Sequence, residues 1–188
     1  MNEGAVKNNL YEPGLGMNVI IETERLLLRK FTERDAPLLY ELNLDPEVIR
    51  YTHDPLTDVE HARKMLTEVI LPQYALYNHG RWAVHLKTNL EFIGWCGLKY
   101  LSEQNEVDLG YRFMKKFWGF GYATEAALAC IEYGFARLNL HRIVGRAVPA
   151  NLDSIKVLEK CGMEFLREEV IQGYLHKTYQ VNNPAIKS

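Results

Sequence analysis

The turn at residues 116–126 restricts the possible folds of this chain more than any other segment. It reads KFWGFGYATEA, and the flanking patterns predict a strand before it and a long helix from about Tyr122 after it. Gly119 and Gly121 allow backbone N–H groups to converge on an anion, and the N-terminus of the helix adds positive charge. The small side chains of the helix favour close packing on a sheet. We therefore expect an α/β fold with a candidate pyrophosphate-binding turn.

Two common phosphate-binding patterns do not fit this turn. The Rossmann pattern needs a third glycine where Thr124 stands, and it needs an N-terminal βα unit that the sequence lacks. A Walker loop needs Gly-Lys-Ser or Gly-Lys-Thr, which is also missing. A shorter cradle of the form Gln/Arg-x-x-Gly-x-Gly/Ala remains, with Lys116 at its first position. The alternative is a strand-to-helix turn without a ligand.

Hydrophobic periodicity and turn signals predict the element order β-α-α-β-β-β-α-β-α-β-β. This order indicates an α/β fold with a mixed sheet of about seven strands and helices on both faces. Pro72 should interrupt the second helix. The predicted strands cover residues 23–31, 81–87, 91–101, 107–113, 141–148, 163–169 and 174–181, and the predicted helices 32–42, 57–77, 122–138 and 151–161.

Composition narrows the class of protein. The 188 residues are 47% hydrophobic and carry 22 basic against 24 acidic side chains, a formal charge of -2. This balance favours a single compact domain and gives no electrostatic reason to expect nucleic acid or an anionic membrane as a partner. The three cysteines lack disulfide or zinc spacing, so we expect no metal and a cytoplasmic protein. We expect a flexible leader at 1–18, one domain at 19–182 and a tail at 183–188.

The string FWGFGYATEA resembles the acetyl-CoA pyrophosphate loop of the GNAT N-acetyltransferases, in the form typical of their RimJ/RimL-like branch. Three other segments are similar to that branch: ETERLLLRKFTERDA, DLGYRF and LNLHRIVGRAVPANLDSIKVLEKCGMEF. The resemblance covers residues 19–181. The sequence departs from the branch at Lys116 for Gln/Arg, Asp108 for Glu and Met163 for Phe, and in a shortened final hairpin.

The resemblance implies the acyl-CoA N-acyltransferase fold, whose mixed sheet is splayed at its centre, and acetyl-CoA as co-substrate. It implies a strand beside the pantetheine arm, a loop around the pyrophosphate, and Lys116, with Lys115, near the 3′-phosphate. The residues implied to bind acetyl-CoA are Leu109, Tyr111, Arg112, Phe113, Lys116, Trp118, Gly119, Phe120, Gly121, Tyr122, Ala123, Thr124, Asn151, Ser154 and Lys160. Core packing of the aromatic residues and a solvated lysine pair are the alternatives.

Asn151 and Ser154 have a local and a functional interpretation. Asn151 suits the N-cap of the helix that contains Ser154, and Gly162 suits its C-terminal end. The family resemblance implies in addition that Asn151 contacts the pantetheine and that Ser154 protonates the leaving thiolate. A capped helix aimed at the cofactor satisfies both interpretations.

Asp108 is the first candidate for the base, because it stands where relatives carry a glutamate beside the acceptor. It could take the proton of the acceptor ammonium directly or through water. The alternative is a surface carboxylate paired with Arg112, and Glu106 is the second candidate base. A protein α-amine, with a pKa of about 7.7–8.0, needs less help from a base than a lysine near 10.4.

The expected function is direct acetyl transfer from acetyl-CoA to a primary amine, with a protein N-terminus as one acceptor. Acidic residues within 41–60 suggest a lip that attracts a cation, or a solvated polar loop. The alternatives are a polyamine or aminoglycoside-like acceptor, and a non-catalytic acyl-CoA-binding module. The oligomeric state is left as monomer or homodimer.

Overall fold

The computed structural model describes residues 18–52 and 54–186, and within them eight strands form one sheet. Most of the predicted leader, residues 1–17, and the last two residues of the predicted tail lie outside this part of the chain. The order in the sheet is β1-β2-β3-β4-β5-β6-β8-β7. The strands are β1 Val19–Glu22, β2 Leu26–Lys30, β3 Arg81–Leu86, β4 Phe92–Leu101, β5 Glu106–Phe113, β6 Arg142–Ala147, β7 Glu164–Ile171 and β8 Tyr174–Asn182.

Helices fill the connections between these strands. After a 3₁₀ turn at Glu33–Asp35 come α1 Ala36–Leu42, α2 Pro46–Ile49, α3 Val59–Lys64, α4 Leu71–Tyr77, α5 Tyr122–Leu138 and α6 Leu152–Lys160. A π-helical stretch, Met65–Ile70, joins α3 to α4. Because Pro72 has no N–H to donate, the regular helical ladder is interrupted next to it, as predicted.

The mixed α/β sheet is confirmed, but the predicted strand count of about seven is too low by one. The turn after Glu22 folds β1 back onto β2, where Val19 is opposite Arg29 and Glu22 is opposite Leu27. Thr23 closes this turn by accepting the backbone N–H of Leu26 on its hydroxyl oxygen at 3.0 Å. The predicted strand at 23–31 covers β2 alone, and β1 was missed because no glycine or proline marks the turn that follows it.

The two faces of the sheet carry separate cores. On one face, α5 and α6 bury Ala127, Cys130 and Leu158 against the sheet. On the other face, α1 and α3 bury residues such as Leu39 and Ala62. The prediction of helices on both faces is therefore confirmed.

The pairing of β5 with β6 is unusually short. The two strands are parallel, and only Asp108 with Val144 and Leu109 with Gly145 form residue pairs. By contrast, β4 and β5 pair over their whole length, from Gly94 with Phe113 to Leu101 with Glu106. The sheet therefore opens on one side of β5 after Leu109, and the candidate site lies at this opening.

Candidate active site

Two clefts meet at the opening between β5 and β6. The first, which we call the loop cleft, has a volume of about 510 Å³ and is bordered by the glycine turn at 118–124 and by α6. The second, the strand cleft, has a volume of about 960 Å³ and lies over β4 and β5. Both are lined by a common set of residues: Tyr51, Thr52, Tyr111, Arg112, Asn151 and Ser154.

The glycine turn has the backbone geometry that its sequence predicted. Gly119 and Gly121 have φ angles of +81° and +80°, a region that side chains other than glycine rarely adopt. No atom lies within 4 Å of the position that a Cβ on Gly119 would occupy. The indole N–H of Trp118 holds the turn in place by donating to the Phe113 carbonyl at 2.8 Å. An open, positive-φ turn at the start of a 17-residue helix fits an anionic group such as a pyrophosphate.

Glu125 ties the start of α5 to the turn between β1 and β2. Its carboxylate accepts hydrogen bonds from the Thr23 hydroxyl at 2.6 Å, the Arg25 backbone N–H at 3.0 Å and the Arg25 Nε at 2.6 Å. Burial by itself raises the pKa of Glu125, but the bonds from Thr23 and Arg25 outweigh burial and hold that pKa below its usual value. Arg25 also donates to the Phe120 carbonyl at 3.0 Å, so this contact braces the glycine turn from outside.

The N-terminus of α6 meets β5 where the two clefts join. Asn151 caps the helix, since its Oδ1 accepts the backbone N–H of Ser154 at 3.2 Å. The Ser154 hydroxyl lies 3.0 Å from the Tyr111 hydroxyl, which also donates to the Ser154 carbonyl at 2.9 Å. Burial raises the pKa of Tyr111, so its hydroxyl stays protonated at neutral pH. The arrangement offers two coupled O–H groups at the junction.

Asp108 lines the strand cleft between two arginines. Its Oδ2 accepts from Arg81 Nη2 at 2.5 Å, and its Oδ1 accepts from Arg146 Nη1 at 3.2 Å. The alternative partner considered from the sequence, Arg112, pairs instead with both oxygens of Asp54 at 2.8 and 2.9 Å. A carboxylate has about four acceptor positions, so Asp108 retains capacity to accept a proton or a water.

Glu106 lies outside both clefts. It is buried and borders a separate cavity of about 590 Å³. It pairs with Arg142 at 3.1 Å, with Arg167 at 3.1 Å and with Arg146. Burial raises the pKa of Glu106, but the hydrogen bonds and charges of Arg167 and Arg146 prevail and the pKa is lowered. Of the two candidate bases, Asp108 alone therefore faces a cleft.

The structure brings most of the sequence-predicted residues together. Asp108 and Leu109 line the strand cleft. The loop cleft is lined by Tyr111, Arg112, Phe113, Trp118, Gly119, Gly121, Tyr122, Ala123, Thr124, Asn151, Ser154 and Lys160.

Two predicted residues lie outside both linings. Lys116 pairs with Glu91, with Nζ 2.7 Å from Oε1. Phe120 is 60% exposed and stacks on Tyr122, with the ring centroids 5.9 Å apart. Neither position tests what these side chains do when a ligand is bound, so their roles stay predictions.

Sequence reasoning missed the side chains that surround Asp108 and several in the loop cleft. The missed residues are Arg81, Trp95, Lys99, Arg146 and Glu169 in the strand cleft and Arg50 and Lys156 in the loop cleft. Lys99 had one available signal, because it follows the uncharged run FIGWCGL within a predicted strand. Nothing local indicates that Arg81 and Arg146 meet one carboxylate.

Most of the acidic side chains in segment 41–60 cap nearby helices or form ion pairs with nearby arginines. Asp45 and Asp58 cap α2 and α3, because their side chains accept backbone N–H groups from the first turn of each helix. Glu47 and Glu60 pair with Arg50 and Arg63 three residues further along the chain. Asp54 lines the strand cleft, where it is paired with Arg112, and Glu47 lines the loop cleft.

Two further features were considered for the described residues, a membrane-spanning helix and a metal-binding cluster, and both are absent from them. No helix within 18–52 or 54–186 is long and apolar enough to cross a membrane. In the same ranges, no cluster of three or more His, Cys, Asp or Glu residues could hold a metal ion.

A family model and a related protein each match most of this chain. The acetyltransferase (GNAT) domain matches residues 25–164. An uncharacterized N-acetyltransferase, p20 of Bacillus licheniformis, is 37% identical over 157 residues, which cover 81% of this chain and 85% of that protein.

Solved structures share the fold over most of the chain. A GNAT-family acetyltransferase from Bacillus anthracis is 28% identical with a TM-score of 0.74, covering 87% of this chain and 98% of its own. RimL, a ribosomal L7/L12 α-N-protein acetyltransferase solved in complex with coenzyme A, has a TM-score of 0.77 at 20% identity and covers 89% of this chain and 99% of its own.

Proposed function

Since this chain belongs to the GNAT family of acetyl-CoA-dependent N-acetyltransferases, we propose that it acetylates the α-amine at the N-terminus of a protein or peptide. The observation that carries the proposal is the junction of the two clefts at Tyr111, Asn151 and Ser154. One cleft has an anion-binding turn and the other has a carboxylate, Asp108. An acyl donor and an amine that enter from opposite sides would meet at this junction.

The loop cleft is the proposed site for acetyl-CoA, which supplies an activated acetyl group as its thioester when bound. The turn at Gly119 and Gly121 holds the pyrophosphate through backbone N–H groups and the dipole of α5. Three basic side chains line the same cleft and are the proposed phosphate contacts: Lys160, Arg50, which lies 3.7 Å from Glu47, and Lys156, which lies 3.6 Å from Asp153. Lys156 and Lys160 lie one turn apart on α6, so both extend from the same face of that helix.

Asp108 is the proposed acceptor of the proton that the amine must lose, either directly or through a water. Both of its oxygens already accept guanidinium hydrogen bonds, from Arg81 and Arg146. An amine with a pKa near neutrality needs the least help from a base, because part of it is already neutral. A protein α-amine at about 7.7–8.0 meets this condition, whereas a lysine near 10.4 does not.

Ser154 is the proposed donor of a proton to the departing sulfur. Its hydroxyl is 3.0 Å from the Tyr111 hydroxyl, which helps to fix its position at the start of α6. The two groups occupy the junction of the clefts, where bond breaking would occur. Asn151 acts through the helix, because its cap fixes the first turn that carries Ser154.

A panel of acceptors tests the α-amine assignment. The release of CoA thiol is measured with three acceptors at pH 7.5: an amidated peptide with a free α-amine, an Nα-acetylated peptide with one lysine, and spermidine. We expect the highest kcat/KM with the first peptide. Acetylation of spermidine alone would refute the assignment, and binding of acetyl-CoA without thiol release from any amine would indicate a non-catalytic module.

A further inference from the structure

Three of the four lysine and arginine side chains that line the strand cleft form ion pairs. Arg81 pairs with Asp108 at 2.5 Å, Arg112 with Asp54 at 2.8 Å, and Arg146 with Asp108 at 3.2 Å. Lys99 lines the same cleft, and within the described residues no acid lies within ion-pair distance of it. The cleft thus presents one ammonium group that forms no ion pair with the described residues.

Lys99 is a direct neighbour of the proposed base, Asp108, in the sheet. Lys99 on β4 is directly opposite Asp108 on β5, so both side chains extend from the same face of the sheet. Directly opposite residues have Cβ atoms about 4.5–5.5 Å apart. Asp108 forms no ion pair with Lys99, and its two carboxylate oxygens accept hydrogen bonds from Arg81 and Arg146.

The half-buried surroundings of Lys99 favour an anionic partner. Burial lowers the pKa of Lys99 and the positive charge of Arg81 lowers it further, and these two effects outweigh the opposite effect of the Asp108 charge. An anion bound beside Lys99 would oppose both effects. Trp95, which lies on the same face of β4 as Lys99, also lines the cleft.

We propose that the acceptor carries a carboxylate close to its α-amine and that Lys99 binds this carboxylate. The inference rests on the proposed function, since it names the kind of α-amine that the strand cleft selects. With the amine beside Asp108, the carboxylate must lie within one or two residues of it, because an extended chain advances about 3.3 Å per residue. An acidic side chain at the second or third residue of a peptide satisfies this distance. The α-carboxylate of a free amino acid is the other source of the same chemistry.

Amidated peptides that differ at one position test the proposal. Peptides of the form Ala-Xaa-Ala-Ala-Tyr-amide and Ala-Ala-Xaa-Ala-Tyr-amide, with Xaa as Glu, Gln or Lys, separate the two positions, and free alanine separates the second source. The measurement is kcat/KM from CoA thiol release. We expect Glu to exceed Gln by about fivefold at one of the two positions and Lys to be the poorest acceptor.

Variants of Lys99 assign the preference to this side chain. Lys99→Met should remove the difference between the Glu and Gln peptides, Lys99→Glu should favour the Lys peptide, and Lys99→Arg should keep the preference for Glu. Lys64→Met, at an exposed position of α3, serves as the control and should retain the wild-type preference.

Each outcome is informative about a different claim. Equal kcat/KM for Glu and Gln peptides in the wild type, or a preference that persists in Lys99→Met, would overturn the role of Lys99 and leave the α-amine assignment intact. A preference for free alanine over every peptide would assign the carboxylate to an amino acid. Thiol release with spermidine and with none of the α-amines would overturn the proposed function itself.

Discussion

Arg81 reaches Asp108 across the intervening strand β4, with its guanidinium group directly over Gly110. A Cβ on Gly110 would lie 2.6 Å from Arg81 Nη2 and 2.7 Å from Cζ, so a side chain at this position would collide with the ion pair. The guanidinium group also lies 5.3 Å from the Trp95 ring centroid. The glycine of the DLGYRF segment is therefore needed for the Arg81–Asp108 contact.

Replacement of Asp108 by Asn should lower kcat/KM for an α-amine peptide by about 10²-fold at pH 7, because the variant lacks a proton acceptor. The loss should shrink towards pH 9, since an α-amine with a pKa of about 7.7–8.0 is then already neutral. The measurement is a pH profile of kcat/KM. Asp108→Glu, which keeps the carboxylate, is the control, and an Asp108→Asn profile parallel to that of the wild type would remove Asp108 as the base.

Ser154→Ala and Tyr111→Phe should each lower kcat by about tenfold while the Kd for acetyl-CoA changes little. Their hydroxyls share one contact of 3.0 Å, so the double variant should be no slower than the slower single variant. Single-turnover kinetics and calorimetry measure the two quantities. Strictly additive losses in kcat would show that the two hydroxyls act independently.

Gly119→Ala and Gly173→Ala form a matched pair. Both glycines have a positive φ, +81° and +83°, and neither would place a Cβ within 4 Å of another atom. Each substitution should lower the free energy of unfolding by about 1 kcal/mol through backbone strain. The Kd for acetyl-CoA should rise about tenfold only in Gly119→Ala. A similar Kd in both variants would argue against a pyrophosphate at the turn.

Glu125→Gln should lower both stability and affinity for acetyl-CoA, because the carboxylate accepts three hydrogen bonds that hold α5 to the β1–β2 turn. Arg25 is 44% exposed, so solvent screens part of its interaction and a loss of about 1 kcal/mol is expected. This corresponds to a fall in Tm of about 2–4 °C. Glu132→Gln on the exposed side of α5 is the control. An unchanged Tm in Glu125→Gln would refute the bracing role.

Glu106→Gln should change how the free energy of unfolding depends on pH in the acid range. The folded-state pKa of Glu106 is lowered, so its contribution is fully present above the unfolded pKa of about 4.3 and is lost as the pH falls through the folded value. The variant should therefore be less stable at pH 7 and lose less stability between about pH 5 and pH 3. Urea unfolding across this range measures both effects, with exposed Glu164→Gln as the control. Parallel curves for Glu106→Gln and the wild type would contradict the lowered pKa of Glu106.

Features with local causes were predictable from the sequence. Helix α5 begins at Tyr122 and ends at Leu138 as predicted, because Gly121 and Asn139 both adopt the left-handed conformation that their residue types favour. The cap of α6 by Asn151 also follows from neighbouring residues. The glycine turn was recognisable because its chemistry lies within one short segment.

The surroundings of Asp108 depend on pairing between distant residues. Arg81 and Arg146 lie 27 and 38 residues away along the chain, and the strand register brings them to one carboxylate. The same is true of Lys116, whose contact with Glu91 spans 25 residues. Periodicity indicates which residues form a strand, but it does not indicate which charges become neighbours across a sheet.

The short contact between β5 and β6 divides the sheet into two parts with different assembly requirements. In β1–β5, every strand pairs with its successor in the chain, although β2 and β3 are separated by α1–α4, so this antiparallel part contains no strand that must wait for a later one. In β6-β8-β7, the order is not sequential, and β6 must wait for β8. We expect the N-terminal part to fold first, with the gap between β5 and β6 taking shape as the last 47 residues, from Arg142 onward, emerge and dock.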